Sequence, residues 1–256
     1  MLRTTRNPSL ATRVIGALAL VLAGGAAQAL SLYDPTAGML PSAQGWLSLC
    51  SQPQCSAQVG DGVLALDTLG AGNGAQAGFS RLDQVLDAEA GYRLDFGLRV
   101  LDESHASADR AGFVLIAVGS VPSQSFEIGF WKDQVWVYDY DGGAFVKGAS
   151  AALDTTTWHD YSLSVQAGRF SLRADGHALL DGLLEDYSGF GMPYDLRNFL
   201  FLGDDTRSAG AAVQLGAVSL SAVTPVPEPA GAASMLGGLL LVMGAARAGR
   251  RSSRPG

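Results

Sequence analysis

The chain reads as an all-β protein, a two-sheet antiparallel jelly-roll sandwich, on three observations. Apolar and polar residues alternate with period two through much of Gly60 to Ser221, Asp-Gly and Gly-Gly pairs recur between the alternating runs, and no amphipathic pattern sustains three helical turns. Strands joined by tight turns without helical crossovers pair antiparallel. Two such sheets bury their apolar faces by packing against each other.

The clearest strand lies at Tyr92 to Val100, where Tyr92, Leu94, Phe96, Leu98 and Val100 alternate with Arg93, Asp95, Gly97 and Arg99. That spacing puts the apolar side chains on one face. Before it, Leu30 to Gln44 reads as an irregular lead-in along the sandwich edge, because Pro35 and Pro41 interrupt it. Val63 to Asp67 reads as a strand, and Leu82 to Ala90 as the one candidate for a short helix. Further strands are expected at Ala111 to Val118, Ser125 to Trp131, Val135 to Tyr140, Tyr161 to Val165, Phe170 to Ala174, Phe199 to Leu202 and Val213 to Leu220. Turn signals separate them at Asp61-Gly62, Asp141-Gly142-Gly143, Ala167-Gly168, Asp175-Gly176 and Asp181-Gly182. No internal repeat is visible.

The two ends are of a different kind. Arg3, Arg6 and Arg13, then the apolar run Val14 to Ala23, then Ala27-Gln28-Ala29 form a secretory leader with cleavage expected before Leu30. At the other end stand Val226-Pro227-Glu228-Pro229-Ala230, an apolar run from Gly231 to Ala246, and a tail carrying Arg247, Arg250, Arg251 and Arg254. The prolines forbid a helix at the motif. The span from Ala230 to Ala246, with Gly237, Gly238 and Gly244 in it, barely reaches the ~17 residues needed to cross a bilayer, and the arginines place the tail in the cytoplasm. This ending closely resembles the PEP-CTERM sorting signal of Gram-negative bacteria. The resemblance implies an exosortase-type membrane peptidase as partner, a link to exopolysaccharide, and a final place in the cell envelope, at the cell surface or in the extracellular matrix. The expected division is 1–29 leader, 30–221 ectodomain and 222–256 sorting signal, with the motif at 226–230, a single apolar helix at 231–246 and the basic tail at 247–256.

Charge and cysteines narrow the ectodomain. Three of the 17 basic residues lie in the leader and four in the tail, leaving 10 against all 24 acidic ones, a formal charge of −14 for Leu30 to Pro229. A nucleic-acid partner is excluded on that balance, because phosphates need a basic face. Cys50 and Cys55 are expected to form a local disulfide in an oxidising compartment. His105, His159 and His177 fall at no zinc-site spacing from them.

Three landmarks occur in order: Phe126-Glu127-Ile128-Gly129-Phe130-Trp131, Thr157-Trp158-His159-Asp160-Tyr161-Ser162-Leu163, and Phe201-Leu202-Gly203-Asp204-Asp205-Thr206-Arg207-Ser208-Ala209. They resemble the concanavalin-A-like and laminin-G-like sandwiches of bacterial surface proteins, and among these the choice-of-anchor domains. The resemblance implies a module that works outside the cell. Laminin-G-like domains often carry calcium at a loop rim, so Ca2+ is the one cofactor considered, held by Asp139, Asp141, Asp204 and Asp205, whose oxygens suit that ion.

Catalytic templates fit poorly. Glycosidases on such folds set carboxylates at every second residue of one strand, yet Gly129 and Trp131 follow Glu127 at that spacing, and Glu89, Glu103 and Glu185 are expected in loops or at element ends. There is no Gly-x-Ser-x-Gly elbow and no His-Glu-x-x-His. Trp136, Tyr138 and Tyr140 share one face of a strand, with Val135 and Val137 on the other. If the valines face inward, three rings form a surface stripe of the kind that stacks on sugars; if the aromatics do, they fill the gap between the sheets. The expectation is a non-enzymatic module that binds extracellular polysaccharide. A structural or adhesive matrix protein is the competing class, and a glycosidase a third.

Overall fold

The computed structural model describes residues 29–51, 55–69, 75–141 and 143–223. The leader, the sorting motif Val226, Pro227, Glu228 and Pro229, and the apolar run expected as a helix lie outside the described residues. So does the side chain of Asp141. Among the described residues no helix is long and apolar enough to cross a membrane.

Two antiparallel sheets form the sandwich, as the alternation predicts. Sheet I contains β1 (Leu30–Tyr33), β3 (Ser56–Gly60), β4 (Val63–Asp67), β6 (Tyr92–His105), β11 (His159–Gln166), β12 (Arg169–Ala174), β13 (His177–Leu183) and β15 (Ala209–Ala222). Its order is β13-β12-β11-β6-β15-β4-β3, with β1 also paired to β15. Sheet II contains β2 (Leu47–Cys50), β5 (Ala77–Arg81), β7 (Val114–Val118), β8 (Ser125–Phe130), β9 (Gln134–Asp141), β10 (Ala144–Ala152) and β14 (Phe199–Asp204), in the order β10-β9-β8-β7-β14-β5-β2.

Between the sheets lies a core in which Leu94, Phe96, Leu98 and Val100 of β6 meet Leu115, Phe126, Ile128, Phe130 and Val135 of sheet II. Tyr161 stacks on Phe96 at 5.2 Å and meets Phe130 edge-on at 5.4 Å. The expected turns at Asp61-Gly62, Ala167-Gly168 and Asp175-Gly176 form with both residues at positive φ, the geometry that matches the twist of hairpin strands.

Several local expectations need correction. Asp181-Gly182 is no turn; both residues lie inside β13, where Gly182 lets the Phe170 ring pass within 2.7 Å of where a Cβ would be. Leu82 to Ala90 forms bends and turns rather than a helix. The lead-in is partly ordered: Leu32 and Tyr33 are buried in β1, and Trp46 donates to the Leu32 carbonyl at 2.8 Å. Glu103 stands within β6, where its carboxylate meets His105 at 2.7 Å. The Cys50–Cys55 disulfide is formed.

Sheet II has a second apolar face. Val114, Ile116 and Val118 of β7, Phe199 and Phe201 of β14, and Trp136 and Tyr138 of β9 point away from sheet I into a separate buried cluster with Trp131, Tyr187 and Tyr194. The cover is the long connection between β13 and β14. Central strands buried on both sides read as continuous apolar runs, and Val114 to Val118 is one, all five residues buried.

Candidate functional site

The valines of β9 face inward, with Val135 in the inter-sheet core and Val137 packed on it. The aromatics nevertheless make no exposed stripe. Trp136 is 0% and Tyr138 3% exposed, whereas Tyr140 at the strand end is 51% exposed. The β13–β14 connection lies over the first two: Tyr187 donates its hydroxyl to the Tyr138 carbonyl at 2.7 Å, and the Phe145 ring packs on Phe190, Tyr187 and Tyr194 at 4.2, 4.9 and 5.1 Å. Tyr140 meets Phe190 edge-on at 5.4 Å. Trp136 and Tyr138 therefore belong to a buried layer outside sheet II, neither a surface platform nor a filling between the sheets.

Of the aspartates expected to hold calcium, Asp139 is not brought to Asp204. Asp139 stands on β9 and Asp204 on β14, with β8 and β7 between them, three strand spacings or about 14 Å. Among the described residues no three His, Cys, Asp or Glu side chains are placed to hold a metal ion. Asp139 is exposed and accepts the Tyr140 amide at 2.7 Å. Asp204 is wholly buried at the end of β14, and burial pushes its carboxyl up to about 8. Its Oδ1 accepts the Thr206 amide at 3.0 Å, but its Oδ2 has no partner; the nearby Thr68 hydroxyl is directed at the Ala211 carbonyl, 3.3 Å away.

Asp205 turns instead into a groove of about 680 Å³ on the outer face of sheet II. The groove runs between the β2–β5 edge, with Leu47, Leu49 and Leu82, and the β13–β14 connection, with Met192 and Tyr194; Gln76, Arg110, Glu127, Tyr138 and Asp205 supply polar groups. Alternation along β8 decides which residue faces it. Phe126 and Ile128 go to the inter-sheet core, so Glu127 must project outward.

Glu127 is 2% exposed. Tyr194 donates its hydroxyl to Glu127 Oε2 at 2.5 Å. Burial is the main reason the Glu127 carboxyl is held well above the usual range, and the nearby Asp205 charge adds to it, while the Tyr194 hydrogen bond and the Arg110 guanidinium oppose it. Asp205 is raised to about 6, again chiefly by burial. Gln76 donates its side-chain amide to the Asp205 carbonyl, tying the loop after β14 to the edge of β5. Arg110 is anchored by the Phe145 carbonyl at 3.2 Å. The groove thus holds two carboxyl groups, both pushed upward by burial, a guanidinium and a phenol. Such an arrangement can give and take protons.

Sequence reasoning noted Glu127 as a glutamate on a well-formed strand but missed its partners. Asp205, Tyr194 and Arg110 come from three loops, at separations that no linear motif records. A visible signal was the aromatic density of Tyr187, Phe190, Tyr194, Phe199 and Phe201, too rich for a bare surface connection.

No family model matches the chain, and no curated protein is similar to it. Solved structures are similar in fold. A carbohydrate esterase from the Shiga toxin-encoding bacteriophage phi24B superposes with a TM-score of 0.55 at 15% identity, over 77% of this chain and 100% of that one. A galectin-like protein of unknown function from Bacillus subtilis gives 0.50 at 11% identity, over 77% and 98%. An alginate lyase of polysaccharide lyase family 7 gives 0.41 at 12%, over 66% and 84%. The fold is thus a galectin- and concanavalin-like β-sandwich. The expectation of a non-enzymatic module is corrected, because the sandwich is shared with a carbohydrate esterase.

Proposed function

We propose that this protein hydrolyses a carbohydrate substrate in the groove on sheet II, Asp205 taking a proton from the attacking water and Glu127 giving one to the leaving-group oxygen. The observation that carries the reading is a solvent-reachable groove lined by two carboxyl groups, Glu127 and Asp205, with the Glu127 carboxyl buried against the Tyr194 hydroxyl and pushed upward by that burial. Tyr194 orients the Glu127 carboxyl, and Arg110 balances the Asp205 charge. Leu47, Leu49 and Met192, exposed along the rim, offer apolar surface to sugar rings. The fold shared with carbohydrate-active and galectin-like proteins supports a saccharide as the substrate class.

The test is release of reducing ends from cellulose, xylan, β-1,3-glucan and alginate by the purified protein, and of acetate from acetylated xylan. Glu127→Gln and Asp205→Asn should each lower turnover by about 100-fold or more without lowering the melting temperature. No product from any polymer, or full activity in Glu127→Gln, overturns the reading.

We also propose that the protein is exported from a Gram-negative cell and sorted by an exosortase-type peptidase that reads Val226 to Pro229. The order of motif, apolar run and basic tail supports this. Changing Pro227 and Pro229 to Ala should leave the tail attached and the protein in the membrane fraction; identical mass and fractionation for variant and wild type would contradict it.

A further inference from the structure

The outer face of sheet I, on the other side of the sandwich, carries a tryptophan whose exposure folding leaves unexplained. Trp158, just before β11, is 39% exposed. Its indole lies across glycines of two adjacent strands. A Cβ on Gly97 of β6 would fall 2.3 Å from Cζ2 of the ring, and a Cβ on Gly216 of β15 would fall 2.9 Å from the same atom. Any side chain at either position would lift the ring from the sheet. Gly216 sits within the register shift between Leu215 and Val218 of β15. The floor is thus bare backbone on both strands, and the ring is held against it with part of its surface in water.

The surroundings are polar. A shallow depression of about 730 Å³ beside the ring is lined by Arg93, Asp95, Asp160, Ser162, Arg173 and Ser219. Asp160 accepts from the indole Nε1 at 3.4 Å. Arg93 Nε meets Asp95 at 2.8 Å, and Arg173 Nε donates to the Gly176 carbonyl at 2.9 Å, so each guanidinium is tethered at one nitrogen and leaves its others free to pair. With Asp175 also lining the depression, three aspartates face two arginines. There is no surplus positive charge to draw an acidic polymer. A flat indole stacks on the C–H face of a pyranose, while fixed carboxylates, serine hydroxyls and guanidinium groups pair with its hydroxyls.

We propose that the Trp158 surface is a second saccharide site, for a neutral polysaccharide, on the face opposite the groove. It uses none of the groove's residues and stands whether or not Glu127 is catalytic.

Retention of the purified full chain in native gels containing xyloglucan, mixed-linkage glucan or galactomannan, with alginate as the acidic comparison, tests this. Wild type should be retarded by at least one neutral polymer. Trp158→Ala and Arg173→Ala should each weaken retardation about tenfold, and Glu127→Gln should keep it. Arg173 is exposed, so its variant decides the matter if Trp158→Ala melts early. Retardation unchanged in Arg173→Ala and in a folded Trp158→Ala, retardation by alginate alone, none by any neutral polymer, or loss in Glu127→Gln overturns the proposal. Activity of the groove, measured separately on short soluble oligosaccharides, is expected to be unchanged in Trp158→Ala.

Discussion

Asp204 offers the most quantitative test of the electrostatics. The isosteric change Asp204→Asn keeps an oxygen to accept the Thr206 amide, found at 3.0 Å, and removes the titration. Burial raises the folded-state value from 3.8 to about 8, so between those limits the folded protein holds a proton that the unfolded chain has released. Stability then falls as pH rises, by about 1.4 kcal/mol per pH unit. This contribution is fully present below about pH 4 and is lost as pH rises through about 8. From pH 4 to pH 7 the loss amounts to roughly 4 kcal/mol, against a typical total of about 5–15 kcal/mol. Urea unfolding of wild type and Asp204→Asn at each pH unit from 4 to 8, at fixed ionic strength, reads it directly. Glu127 and Asp205 titrate in both proteins, so the difference between the two curves reports Asp204 together with its coupling to the neighbouring Asp205 charge. The variant should gain on wild type steadily with pH; parallel curves would refute the reasoning.

Tyr194→Phe removes a hydrogen bond that favours the ionised form of Glu127, so the Glu127 carboxyl should titrate at still higher pH. If Glu127 works as the acid, the alkaline limb of the activity profile moves upward, and a limb that stays in place would show that Tyr194 does not act on it. Trp136→Ala, at a wholly buried position, should cost roughly 3–5 kcal/mol in chemical unfolding. Tyr140→Ala, at an exposed one, should stay within about 0.5 kcal/mol. Similar losses at the two positions would contradict the buried outer layer.

The strands that could be read in advance are those with one face in the core and one in water, such as Tyr92 to Val100 and Phe170 to Ala174, because that environment writes period two into the sequence. The edge strands β2 and β3 carry no buried side chain, and β10 gives its residues only partial burial. With little to bury they leave little pattern. Strand β13 was hidden by Asp181-Gly182, whose glycine serves the Phe170 ring rather than a turn.

For the site, alternation in β8 was enough to show that Glu127 lies on the face opposite Phe126 and Ile128. Whether that face meets the other sheet, water or a covering segment is a property of distant chain, and the connection carrying Tyr187, Phe190 and Tyr194 is what turned a supposed stripe at Trp136 and Tyr138 into a buried layer.

Composition, local alternation and turn residues by themselves determined that this chain is an acidic, all-β sandwich with a local disulfide, since each is a property of neighbours in sequence. Tertiary structure alone decided that Glu127, Tyr194, Asp205 and Arg110 share one groove, that Asp139 and Asp204 stand three strands apart, and that Trp158 rests on two glycines. Burial and proximity across a sheet depend on which strands become neighbours, and in this fold β8 and the loop after β14 approach each other only after some seventy-five residues of intervening chain have folded between them.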